Sequence, residues 1–508
     1  MNHLFDGLTA EGLKHPDRDF VRTSGDRQMT YGEMEACSAR YANLLIDLGL
    51  EPGDRVAVQV EKSLDALLLY LATVRAGGVF LPLNTAYTPS EVEYFLSDAK
   101  PRLFVCAPGK LEALKPVAEK AGAEIETLGT DKGLGDVDGS LAEKAASASA
   151  DFETIEREAE DLAAILYTSG TTGRSKGAML THANLLSNAR TLKDYWGFSQ
   201  DDVLLHALPI FHTHGLFVAS NTVMLAGGAM IFLPKFDLDE IFAYLPKSTS
   251  MMGVPTFYTR MLADERLNRD STAHMRLFTS GSAPLLAETH RAFEDRTGQR
   301  ILERYGMTET NMNTSNPYEG ERRAGTVGFP LPGVDLRIAD PDSGATLEDG
   351  QIGMIEVKGP NVFKGYWQMP DKTASEFRED GFFITGDLGQ IDADGYVSIV
   401  GRGKDLVITG GYNVYPKEIE LIIDEVDGVV ESAVIGVPHP DFGEGVVGVV
   451  VARDGLDEDE VMTALEGKMA RFKQPKRVVF VEELPRNTMG KVQKNILRET
   501  FGNILSDS

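Results

Sequence analysis

Residues 167–177 read YTSGTTGRSKG, which places three glycines, five aliphatic hydroxyls and two cations in eleven positions. Glycines let backbone amides approach phosphate oxygens, the hydroxyls of Thr168, Ser169, Thr171, Thr172 and Ser175 add donors, and Arg174 and Lys176 offset negative charge. The composition therefore suits a polyphosphate. A Walker A loop requires Gly, four residues, then Gly-Lys-Ser/Thr, whereas Lys176 stands six positions after Gly170 and is followed by Gly177, so the P-loop NTPase reading fails on spacing. A solvated Gly/Ser turn uses the same residue types and is the alternative for the loop taken by itself. Apolar runs at 162–166 and 178–180 flank the loop and read as strands, with a helix beginning near Thr181 or His182.

Outward from the loop, strand and helix patterns alternate: a strand at 54–60, a helix at 63–76 ended by Gly77 and Gly78, a strand at 79–83, a helix at 89–99 and a strand at 102–106. This alternation predicts an α/β fold with largely parallel sheets covered by helices. Residues 128–150, rich in Gly, Ala, Ser and Asp, read as a weakly ordered surface connection. A strand pattern at 396–400 stops at GRGKD, and beyond it strands at 432–437 and 446–451 and helices at 416–423 and 459–469 suggest a small α+β unit. The expected division is a large N-terminal domain, 1–403, of layered α/β subdomains, and a small C-terminal lid, 404–508.

At 508 residues the chain exceeds one compact core. Lys and Arg total 50 against 77 Asp and Glu, a formal charge of −27, which disfavours nucleic acid and anionic membrane as partners. An anionic ligand must then be held by local positive charge. Residues 468–494 hold eight cations against two acids, either a solvated basic face or such a site. Cys37 and Cys106 give neither a disulfide framework nor a thiolate metal site. The N-terminus lacks an apolar signal core, and the longest apolar stretch, 222–234, is too short to span a bilayer. A cytoplasmic protein without a membrane partner, monomer or homodimer, is expected.

Four further blocks follow in order: ERYGMTET at 303–310, GFFITGDLG at 381–389, GRGKDLVITGGYNVYPKEIE at 401–420 and PRNTMGKVQKN at 485–495. With the first loop they resemble the core motifs of the adenylate-forming superfamily, which includes acyl-CoA synthetases, peptide-synthetase adenylation domains and luciferases. The resemblance implies ATP, Mg²⁺ and coenzyme A. It assigns the phosphates to Thr168, Ser169, Gly170, Thr171, Thr172, Gly173 and Lys176, the metal to Glu309 with Thr168, and the α-phosphate to Thr308. It sets Tyr305 on adenine, Gly281, Ser282, Ala283 and Pro284 along the adenine and acyl site, and Asp387 on the ribose hydroxyls with Arg402 nearby. Lys491 is the implied adenylation lysine, Lys404 the hinge of the lid, and Gly410, Gly411 and Tyr412 the lip of the pantetheine tunnel. The context of Lys491 also resembles sites acetylated for control, which implies an acetyltransferase and a deacetylase as partners.

The segments HALPIFHTHGLF at 206–217, GVPTFYTRML at 253–262 and RYGMTETNMNTSNPY at 304–318 resemble malonyl-CoA synthetases. A dicarboxylate needs a cation for its second carboxylate. Arg260 is the first candidate for that clamp, Arg304 the second, and His212 and Ser282 candidates to shape the acyl wall. His212 and His214 lack a third ligand at zinc spacing. The alternatives are a ligase for methylmalonate, succinate or a short monocarboxylate, a carrier-loading adenylation domain, and a luciferase-like oxygenase.

Overall fold

The computed structural model describes residues 1–25, 27–130, 138–168, 175–409, 412–453, 455–466, 468–487 and 490–505, with the backbone alone at residue 413. Two compact units emerge, one of Met1–Asp335 with Lys358–Phe377, the other of Leu336–Val357 with Arg378–Ser508. The expected boundary at 403/404 lies inside the second unit, which takes in a further sheet ahead of residues 404–508.

Among the described residues the first unit holds two large sheets. In one, strands Leu162–Thr168, Val79–Pro82, Arg55–Gln59, Leu103–Cys106 and Glu124–Thr127 run parallel in that spatial order, and Lys176–Thr181 and Gly365–Tyr366 add an antiparallel edge. In the other, Leu302–Met307, Leu277–Ser280, Ser250–Gly253, Val203–His206, Ala229–Phe232 and Asp19–Thr23 are parallel neighbours, with antiparallel pieces at both ends. Helix Leu64–Arg75 is buried along its whole length, as its all-round apolar surface requires. Ser63 caps its N-terminus, and Gly77 at φ 77° ends it. Its one buried cation, Arg75, is neutralised by Glu35 at 2.6 Å.

The alternation expected from sequence is present, and helix Pro89–Ala99 has the expected bounds. The connection at 128–150 departs from expectation: within it Ser140–Ala146 is helical, with Leu141 and Ala145 buried. The apolar stretch at 222–234 divides between helix Asn221–Ala226 and strand Ala229–Phe232, and among the described residues no helix is long and apolar enough to cross a membrane.

The second unit contains a four-stranded sheet of Asp335–Ala339, Gly353–Lys358, Phe383–Ile391 and Val397–Arg402, the last three antiparallel to one another in turn. A second sheet is built on the long hairpin Val429–His439 and Gly443–Ala452, extended by Val407–Thr409, Tyr412–Val414 and Arg477–Phe480. Helices Pro416–Ile423, Glu458–Leu465 and Lys494–Phe501 complete it.

Candidate active site

Strands Leu162–Thr168 and Lys176–Thr181 form the antiparallel stem of the glycine loop, with Thr168 opposite Lys176. Ser169, Gly170, Thr171, Thr172 and Gly173 lie outside the described residues. Thr168 Oγ1 lies 3.4 Å from the Lys176 carbonyl. The Lys176 ammonium is 3.1 Å from Glu376 Oε1 and 4.1 Å from the centre of the Tyr366 ring.

Strand Leu302–Met307 turns back into Asn311–Ser315, and the reversal presents Thr308 and Glu309. Gly306 is required there, because a Cβ would overlap the Asn311 carbonyl. Thr308 opens into a small cleft with Tyr167, Leu166, Asn84, Phe211 and His212. Glu309 is buried, and Tyr366 Oη lies 3.0 Å from its Oε1 and 2.6 Å from Glu376 Oε2. The phenol has one proton for two carboxylates, so it donates to one at a time, and the shorter contact favours Glu376. Burial pushes Glu376 upward, but bonds from Lys372 and Tyr366 and the charge of Lys176 outweigh it and hold the carboxyl below its usual range. Tyr305, on the same strand, is also buried.

Parallel strands Ser250–Gly253, Leu277–Ser280 and Leu302–Met307 end side by side, and carboxyl ends of parallel strands are where open α/β sheets bind ligands. Here Arg304 is only 3% exposed, forms no ion pair among the described residues, and has Nε and Nη2 without a hydrogen-bond partner. Burial lowers its pKa to about 10. Gly281 faces it, since a Cβ at 281 would overlap the guanidinium. Ser282 takes a left-handed φ of 70°, with Oγ 3.2 Å from His214 Nδ1. His214 is buried with Nε2 unpartnered. Burial, then the charge of Arg304, drives its pKa well below the ordinary value, so the ring is neutral. Ala283 and Pro284 continue the loop, and Glu303 accepts from the Leu285 amide at 3.1 Å to fix it. Arg260, the first clamp candidate, is exposed on helix Pro255–Leu262, whereas Arg304, the second, is buried.

Within the second unit, Asp387 and Arg402 are cross-strand partners joined at 2.8 Å. Gly410 and Gly411 lie outside the described residues, while Tyr412 is exposed with its ring 4.8 Å from Phe472. Lys491 is exposed, in a turn where the Asn487 amide donates to its carbonyl and Asn487 Oδ1 accepts from its amide. Gly490, at a φ of 74°, makes the turn. Burial and the neighbouring Arg402 lower the pKa of Lys404.

Sequence reasoning missed Tyr366 and Glu376, which no motif marks, and weighed His214 only as a zinc ligand, a role it rejected for want of a third ligand. The Gly-Tyr pair after a lysine at 364 was the one visible signal, and a two-residue strand is below what periodicity detects.

Residues 8–367 match the AMP-binding enzyme family and 418–491 the AMP-binding enzyme C-terminal domain. The malonate–CoA ligase of Arabidopsis thaliana is 34% identical over 551 residues, covering 98% of this chain and 89% of that protein. A feruloyl-CoA synthase of Amycolatopsis sp is 35% identical, covering 94% and 95%. The crystal structure of ATP-bound MatB from Rhodopseudomonas palustris superposes with a TM-score of 0.96 at 62% identity, covering 99% of each chain. The chain belongs to the AMP-binding enzyme family and is an AMP-forming acyl-CoA synthetase, an acid–thiol ligase.

Proposed function

We propose that the enzyme is a malonyl-CoA synthetase, converting malonate, ATP and CoA to malonyl-CoA, AMP and diphosphate through malonyl-AMP. The observation that carries the choice of acid is Arg304, a buried guanidinium with no acidic partner among the described residues. Such a charge is costly until an anion meets it, and a second substrate carboxylate supplies one in bidentate geometry. The neutral His214 and Ser282 beside it add donors without adding a competing charge.

A carboxylate oxygen of malonate attacks the α-phosphorus and diphosphate leaves; the CoA sulfur then attacks the acyl carbon, AMP leaves, and the thiol proton passes to solvent. Charge spreads over phosphoryl oxygens in the first step, so positioned donors and cations do most of the work. Thr308 donates to the α-phosphate, Lys176 and the 169–173 loop hold the outer phosphates, Tyr305 borders adenine, and the Asp387 carboxylate accepts from the ribose hydroxyls with Arg402 holding it. Lys491 brings its charge to the acyl carboxylate and α-phosphate. Acetylation there, by an acetyltransferase and reversed by a deacetylase, removes that charge and halts adenylation. Gly410, Gly411 and Tyr412 border the pantetheine arm. Mg²⁺ fits Glu309 and Thr168: one buried carboxylate and a hydroxyl suit a hard cation that keeps phosphate and water among its ligands. When bound it neutralises phosphoryl charge.

The test is diphosphate release with malonate, methylmalonate, succinate, acetate, propionate and octanoate in wild type, Arg304→Met and Arg260→Ala. Malonate should lead. Arg304→Met should cut malonate kcat/KM by about 100-fold or more, the size of a lost charged hydrogen-bond pair, while sparing acetate. A monocarboxylate as best substrate, or full malonate turnover in Arg304→Met, would sink the malonate assignment.

A further inference from the structure

We infer that Glu376 is a built-in counter-anion for the polyphosphate-binding lysine, holding the Lys176 ammonium until a phosphate chain displaces it. The inference rests on the reading of Lys176 as a phosphate ligand. The strap at 360–376 is fixed from several sides. Asn184 Nδ2 donates to the Pro360 and Val362 carbonyls at 2.8 and 2.9 Å, the Phe363 amide donates to the Glu309 carbonyl at 2.7 Å, and the Trp367 amide donates to the Gly177 carbonyl at 2.7 Å. The strap thereby lies along the strand that starts at Lys176, and the Tyr366 amide donates to Thr373 Oγ1 at 2.9 Å, tying Gly365–Tyr366 to the short helix Pro370–Ser375, whose C-cap is Glu376.

The Glu376 carboxylate receives three donors. Lys372 at 2.6 Å and Lys176 at 3.1 Å share Oε1, and Tyr366 takes Oε2 at 2.6 Å. Lys176 and Glu376 are only about a fifth exposed (20% and 19%), so solvent screens the pair weakly. The Tyr366 ring closes over the ammonium. Lys372 explains how the pair can open: when Lys176 leaves for phosphate, Glu376 keeps a cation and is not stranded. A nucleoside monophosphate presents no outer phosphates to draw Lys176 away, so the contact sets a threshold that polyphosphates pass and AMP does not.

Direct binding of tripolyphosphate, metal-free ATP and AMP to the full-length enzyme, by calorimetry, tests this. Glu376→Gln should tighten tripolyphosphate and ATP by about 3- to 10-fold, the worth of one partly screened ion pair, and leave AMP unchanged. Lys372→Met, at a half-exposed position, should weaken tripolyphosphate about 3-fold, by leaving Glu376 dependent on Lys176. That loss should vanish when Glu376→Gln is added. Unchanged or weaker tripolyphosphate binding in a normally melting Glu376→Gln, or a Lys372→Met effect that persists in the double variant, would overturn the inference. Lys176→Met separates the two readings. If it abolishes tripolyphosphate binding while Glu376→Gln gains nothing, the phosphate role of Lys176 stands and the counter-anion fails; if it changes nothing, both fall.

Discussion

At the scale of single residues, function and stability both turn on groups whose protonation the fold dictates. His182 is fully buried, and its Nδ1 accepts from the Leu4 amide at 3.2 Å, which requires the neutral ring. Burial, then the charge of Arg157, lowers its pKa to about 4. A base whose folded pKa is depressed loses protons on folding, so its contribution is complete above pH ~6.5 and drains away as pH falls toward 4. Chemical denaturation of wild type should show up to ~3 kcal/mol lost over that window, and His182→Asn, whose oxygen can replace Nδ1, should flatten the slope; equal slopes would assign the acid sensitivity elsewhere. Asp424 has the opposite sign. Burial raises its pKa to about 6, so the folded state favours the protonated acid and stability falls as pH rises from about 4 to 6. Asp424→Asn keeps an acceptor for Ser432, 2.7 Å away, and should stabilise the second unit by ~1–2 kcal/mol at pH 7 with no gain at pH 4. What sequence does not reveal at this scale is burial: Arg260 and Arg304 both lack an acid partner among the described residues, and only the exposure of the first and the burial of the second tell them apart.

At the scale of elements, legibility follows the strength of local signals. Helices Pro89–Ala99 and Pro416–Ile423 were readable to the residue because proline at the first turn marks the start. Strands flanking the glycine loop were placed correctly but short, since polar Thr168 and Lys176 extend the ladder past the apolar run. Helix Ser140–Ala146 hid in Gly/Ala/Ser composition. The π-helical turn His214–Ser220 was invisible because a widened hydrogen-bond step leaves no periodic mark. Helix Leu64–Arg75 was the clearest of all, and its burial makes a firm prediction: Leu68→Ala should cost 2–5 kcal/mol in urea unfolding, as full-cavity truncations do. A cost under ~1 kcal/mol would mean the site collapses around the deletion.

For the whole molecule, a formal charge of −27 must admit three anionic substrates. Long-range repulsion then slows encounter at low salt, so the association rate of ATP in stopped flow should rise with ionic strength; a fall would indicate a locally positive approach that outweighs the net charge. The segment 404–508 carries apolar clusters on both faces of its sheet, one around Val407, Ile419, Val434 and Val461, the other around Ile435, Val447, Leu484 and Leu497. Expressed by itself it should give a cooperative melt and dispersed amide spectra, and a molten product would show that the sheet of 335–402 is needed to complete it. The order in which the chain is made adds a consequence. The strand Lys176–Thr181 is covered at its outer edge by Gly365–Tyr366, which follows it by well over a hundred residues. While the polypeptide leaves the ribosome, that edge stays open until the covering strand emerges, so the nascent chain carries an unpaired ladder for much of its synthesis. The short strap that later steadies Lys176 is thus also the piece whose arrival ends the period of greatest exposure to misassociation.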